Sequence, residues 1–78
     1  MVRLNINIGS QKGITPNHIV GAIAHATGLP GKVIGHIEIH PDHTLVDVDK
    51  YYETQILSVM KRCKIKGNMT TTTLAKAK

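Results

Sequence analysis

Along this chain the spacing of apolar residues switches repeatedly between two and about 3.6, and few folds accommodate the order of those switches. Val2, Leu4, Ile6 and Ile8 alternate with Arg3, Asn5 and Asn7, the pattern of a strand with one buried and one wet face. A polar loop from Gly9 to Gly13 follows, and then a helix start with three consistent parts. Thr15 can cap, Pro16 suits the first helical position, and Ile14 with Ile19 can form a hydrophobic staple. Ile19, Val20, Ile23 and Ala24 repeat at helical spacing until Gly28 stops the helix. Gly21 inside it costs roughly 1 kcal/mol relative to Ala, and close packing of helix on sheet is the expected reason.

After a Leu29-Pro30-Gly31 turn, Ile37 and Ile39 alternate with His36, Glu38 and His40. Pro41, Asp42 and His43 break the run, and Thr44, Val46 and Val48 begin another, so the pair reads as a hairpin. Asp49 can cap a second helix, along which Tyr52, Ile56, Val59 or Met60, and Cys63 form a stripe. Lys64 to Asn68 contains a glycine turn, and Met69 to Leu74 suits an edge or exposed strand through its β-branched threonines. The order is β-α-β-β-α-β with no internal repeat. It predicts an α+β sandwich, an antiparallel sheet with two helices on one face and the other face open. Residue parity places Arg3, Asn5, Asn7, His36, Glu38, His40, Leu45 and Asp47 on the open face. Residues 1–75 form this one domain, with 76–78 a frayed end or linker remnant.

Charge is distributed unevenly. Ten Lys and Arg stand against five Asp and Glu. All five acids lie between Glu38 and Glu53, while six of the basic residues lie from Lys61 onward. Such an excess favours polyanionic partners. The core must be aliphatic, since the chain has no Phe or Trp and only Tyr51 and Tyr52 as aromatics. One cysteine, Cys63, excludes an internal disulfide and a CxxC metal knuckle, and on the helical stripe it reads as a small buried hydrophobe. No apolar run approaches the roughly 20 residues of a membrane span, and no secretory signal opens the chain. A soluble cytoplasmic domain without membrane contact is expected.

Several local strings are sharper than the fold. Arg3-Leu4 with Ile6-Asn7-Ile8-Gly9, His18-Ile19-Val20-Gly21-Ala22-Ile23-Ala24, Ile34-Gly35-His36-Ile37 and Lys64-Ile65-Lys66-Gly67 occur in this order. Together, over residues 2 to 75, they resemble the C-terminal RNA-binding domain of bacterial DEAD-box RNA helicases of the DeaD/CsdA and DbpA type. The threonine-rich ending and His18 look closer to the DeaD/CsdA branch. The resemblance implies an RRM-like, ferredoxin-like fold that grips structured RNA. Helicase core domains in cis would hydrolyse ATP and remodel ribosomal RNA or cold-stabilised messenger RNA, tasks of ribosome biogenesis and cold shock. These 78 residues carry neither a GxxxxGK[ST] loop nor an Asp-Glu-Ala-Asp string, so no ATPase chemistry and no cofactor are expected of this domain itself. No nucleophile–base pair stands out either.

RNA-recognition motifs stack bases on aromatics at two strand signatures. Here Asn5 stands at the aromatic position of the first, and Leu45 and Asp47 face outward in the second. Binding is therefore expected to rest on cations more than on stacking at the sheet centre. Lys61, Arg62, Lys64 and Lys66, read as the end of the second helix and its following turn, suit phosphate contact. Their favourable position at a helix C-terminus explains them as well. Arg3 and Lys12 flank the first strand and its loop, and Asn5 and Asn7 can hydrogen-bond bases or simply be solvated. His40 and His43 can stack on a base. Zinc needs three or four converging ligands, and strand positions four apart, such as His36 and His40, are separated by about 13 Å, so no metal site is expected. A protein-interaction or self-association module on the same scaffold is the alternative to RNA binding.

Overall fold

The computed structural model describes residues 1–75; the expectation for 76–78 lies outside the described residues. Strand β1 spans Val2–Ile6, helix α1 Pro16–Thr27, β2 Ile34–Ile39, β3 Thr44–Val48, α2 Glu53–Met60, β4 Arg62–Ile65 and β5 Asn68–Leu74. The sheet order is β2-β3-β1-β5-β4, and every neighbouring pair is antiparallel. Both βαβ-like halves therefore interleave as expected, with a fifth strand added at one edge.

Parity sorts the sheet into two faces. Leu4 and Ile6 of β1 and Thr44, Val46 and Val48 of β3 are buried, while their alternates stand on the other side. Against the buried row pack Ile19 and Ile23 of α1 and Ile56 and Met60 of α2, all essentially inaccessible. Ile65 of β4 and Ile14 before α1 close one end of this core. Burying these aliphatic side chains supplies on the order of 1.5–3 kcal/mol each, and no described core position needs an aromatic ring.

The α1 boundaries follow the expected chemistry. Thr15 is the N-cap and Pro16 the first helical residue. His18 takes the place usually held by Glu or Gln, its Nδ1 accepting the Thr15 N–H at 3.0 Å. Gly28 ends the helix at φ 74°, donating to the Ala24 carbonyl at 2.8 Å. Asp49 caps a short 3-10 turn that leads into α2, accepting from the Tyr51 N–H at 3.0 Å.

Two expectations are corrected. The second helix stops at Met60 and does not reach Cys63. Arg62-Cys63-Lys64-Ile65 is instead a strand, because Lys66 and Gly67, at φ 51° and 82°, form a tight turn that folds it back onto β5. Positive φ at both central residues matches the twist of a hairpin. Cys63 is half-buried on that strand, not on a helix. Gly21 is exposed, and a Cβ there would touch nothing within 4 Å, so helix-on-sheet packing does not require it.

The glycine that packing does require is Gly9. A Cβ there would lie 2.0 Å from the His40 carbonyl oxygen and 2.7 Å from the His43 nitrogen. The loop after β1 thus presses backbone-to-backbone on the β2–β3 hairpin, with Ser10 N–H donating to the His40 carbonyl and Gln11 N–H to that of Pro41. Thr44 Oγ1 donates to the buried Ile8 carbonyl at 2.7 Å and fastens the same corner.

Candidate nucleic-acid interface

The open face divides into two chemically different halves. In the first half, β1–β3 register sets Arg3 directly opposite Asp47. Arg3 Nε donates to Asp47 Oδ1 at 3.0 Å, and its Nη1 lies 3.9 Å from Glu38 Oε1. The hydrogen bond and charge of Asp47 hold the guanidinium still more firmly protonated than usual. Glu38 also lies 3.7 Å from His40 Nε2. Asp42 accepts from His43 Nδ1 at 2.7 Å, which lowers its carboxyl below the usual range. The outward charges of this half are thus already partnered with one another. Arg3, expected to face RNA, does point outward, but its guanidinium is engaged. His36 is exposed within the β2 bulge between Ile34 and Ile37.

The asparagines differ from each other. Asn7 extends the ladder beyond the end of β1: its Oδ1 accepts the Thr71 N–H at 2.8 Å, and its own N–H donates to the Thr71 carbonyl. Asn5 faces Leu45 on one side and Thr73 on the other, and its buried Oδ1 has no hydrogen-bond partner among the described residues.

The second half is the β4–β5 hairpin. Its register pairs Arg62 with Thr71, Cys63 with Thr70, Lys64 with Met69 and Ile65 with Asn68. Thr70 and Ile65 are buried, so Arg62, Lys64, Met69 and Thr71 share the uncovered side with Thr73 and Asn5. The strand therefore brings two of the expected cations onto the open face, where a helix end would have splayed them around an axis. Among the described residues, neither Arg62 nor Lys64 lies within 4.0 Å of a carboxylate. Lys61 is exposed at the end of α2. Lys66 points back from the turn, its Nζ donating to the Gly13 carbonyl at 3.2 Å, a neutral partner that leaves its charge available. Sequence parity could not find Met69, Thr71 and Thr73 as members of the face, because four consecutive threonines show no apolar–polar alternation and only the register with β1 and β4 orients them.

Between the two hairpins lies a cleft of about 420 Å³, lined by Asn7, Gly9, Lys12, Asp42, Asn68 and Met69 among others. Lys12, exposed in the loop after β1, stands on its rim. No group of three or more His, Cys, Asp or Glu comes together to hold a metal among the described residues, and no described helix is long and apolar enough to cross a membrane.

A family model for the DbpA RNA binding domain matches residues 3–73. The chain belongs to the DbpA RNA binding domain family. The domain is also 30% identical over 60 residues to proteins named ATP-dependent RNA helicase DeaD from Haemophilus influenzae and Escherichia coli K12. A DeaD helicase of Klebsiella pneumoniae matches at the same identity. These alignments cover 77% of this chain but only about a tenth of each relative. The resemblance to the DeaD and DbpA type, and the RRM-like fold that it implied, both hold.

Proposed function

We propose that this domain is the RNA-gripping accessory module of a DEAD-box RNA helicase and that its grip centres on the β4–β5 half of the open face. The observation that carries the reading is the placement of Arg62 and Lys64 on one uncovered surface with no carboxylate partner among the described residues. Cations free of internal pairing can exchange counterions for phosphates without first breaking an ion pair. Lys61 and Lys66 extend the positive strip at its two ends, and Lys12 adds a charge across the cleft. Thr71, Thr73 and Asn5 supply neutral hydrogen-bonding groups between the cations and the ion-paired half.

On this reading the domain uses no cofactor and holds structured RNA, ribosomal or messenger, for helicase core domains joined to it in the same cytoplasmic protein. The names of the DeaD relatives support that assignment, and so does the family. Binding through phosphates predicts a steep loss of affinity with salt. A fluorescent RNA hairpin titrated at two salt concentrations tests it. The expected result is strong salt dependence that becomes shallower by about 0.7–0.9 in log–log slope for each phosphate contact removed by Arg62→Ala or Lys64→Ala. No binding at low salt, together with self-association of the domain, would instead favour a protein-interaction module.

A further inference from the structure

The face lacks Phe, Trp and outward-facing Tyr, yet it holds one flat aromatic surface. His40 directly follows β2 and His43 directly precedes β3, and the His40 N–H donates to the His43 carbonyl at 2.8 Å. Their side chains follow the parity of Glu38 and Leu45, so both stand on the open side of the sheet. The imidazoles are stacked, with centroids 4.5 Å apart and planes 9° from parallel. Their side chains remain 36% and 39% exposed.

This stack is held in place from several directions. Asp42 fixes the His43 ring through Nδ1, and Glu38 lies beside Nε2 of His40. The backbone beneath is clamped by Gly9 and by the Ser10 and Gln11 amides. A surface ordered before binding loses little entropy when a ligand covers it. The flanking carboxylates also restrict what that ligand can be. Asp42 and Glu38 repel a phosphate but not an uncharged, flat nucleobase. A phosphate of the same nucleotide has Lys12 within the adjoining cleft, which Asp42 also lines.

We propose that the stacked His40–His43 pair is a nucleobase-stacking subsite, which takes one unpaired base of the RNA and extends the two-ring stack to three. The subsite rests on the RNA-binding reading above and adds to it a contact at the end of the face remote from Arg62. Stacking is sequence-tolerant because every base presents a π-face. It would supply the non-electrostatic part of a grip otherwise made of phosphates.

The test uses the full chain and an RNA hairpin whose loop carries a single 2-aminopurine, beside the same hairpin with that base removed. Stacking quenches the probe, so wild type is expected to quench it on binding. His40→Ser/His43→Ser should abolish the quench and weaken binding of the base-containing hairpin by about tenfold. On the abasic hairpin, wild type and this variant should bind alike. His40→Phe/His43→Phe keeps two flat rings and should restore both quench and affinity, which separates stacking from a folding defect. Wild-type affinity in the serine variant, or an equal loss on both hairpins, overturns the subsite. If Arg62→Ala/Lys64→Ala weakens binding while the histidine variants do not, the subsite alone falls. If wild type binds neither hairpin, the RNA-binding reading falls and the subsite with it.

Discussion

The two halves of the open face carry similar numbers of polar side chains but leave them in different states. Around β2, β3 and the start of β1, each outward charge has a partner: Arg3 with Asp47 and Glu38, and His43 with Asp42. Around β4 and β5, Arg62 and Lys64 have none among the described residues. Outward orientation is therefore a poor guide to availability. A surface ion pair contributes little to stability, but an incoming phosphate must displace the carboxylate before it can use the guanidinium. The paired half is a fixed scaffold that positions rings and amides, and the unpaired half is the charged surface.

Gly9→Ala should produce the largest effect, because it attacks the corner on which the scaffold half is built. The new Cβ would fall 2.0 Å from the His40 carbonyl oxygen, and relief requires the loop and hairpin to separate. Overpacking of this kind costs about 3 kcal/mol, a large part of the stability of so small a domain. Chemical denaturation measures it. A wild-type midpoint would mean that loop and hairpin are not tightly apposed, and the idea of a rigid half would go with it.

Next in size is the contrast between cations. Arg62→Ala/Lys64→Ala should weaken binding of an RNA hairpin on the order of tenfold at low salt and flatten the salt dependence. Arg3→Ala/Asp47→Ala removes one charge of each sign from the paired half and should leave affinity nearly unchanged. Equal losses in both double variants would erase the distinction between the halves.

Much of this could be read from the residues, and the failures have identifiable causes. Helix α1 was legible at both ends, since Thr15-Pro16 and Gly28 have few other uses. Alternation along β1 and β3 correctly placed Arg3, Asn5 and Asp47 outward. Strand β4 was hidden because Cys63 lies three residues after Met60 and so continues the α2 stripe, while a four-residue strand offers only two apolar alternates, Cys63 and Ile65. The glycine turn after Lys64 is legible in the sequence, but it reads as a link from helix to strand, whereas it is the centre of a hairpin. The Arg3–Asp47 pair and the His40–His43 stack depend on cross-strand register, and parity gives a face without giving a partner.

Gly21→Ala is a smaller effect and of the opposite sign. The site is exposed, mid-helix and free of neighbours, so alanine should stabilise by about 0.5–1 kcal/mol through helix propensity. Thermal unfolding of the two glycine variants should therefore shift in opposite directions from wild type. A destabilised Gly21→Ala would show that the position is crowded in the folded domain and that helix-on-sheet packing does require the glycine.

Asp42→Asn should change least, and only in acid. The carboxylate can only accept, so His43 Nδ1 must carry the hydrogen between them. That bond lowers the Asp42 carboxyl from its ordinary value. The native state thus binds this proton less readily than the unfolded chain, and stability from the contact is fully present above the usual carboxylate range. It is lost as pH falls through the lowered native value. A wild-type minus Asp42→Asn stability difference measured against pH should accordingly be small and flat near neutrality and close towards zero in acid. Because the side chain is well exposed, solvent screening keeps the difference modest. A difference that grows in acid would reverse the sign and mean that the hairpin carboxylate opposes the histidine stack it now orients.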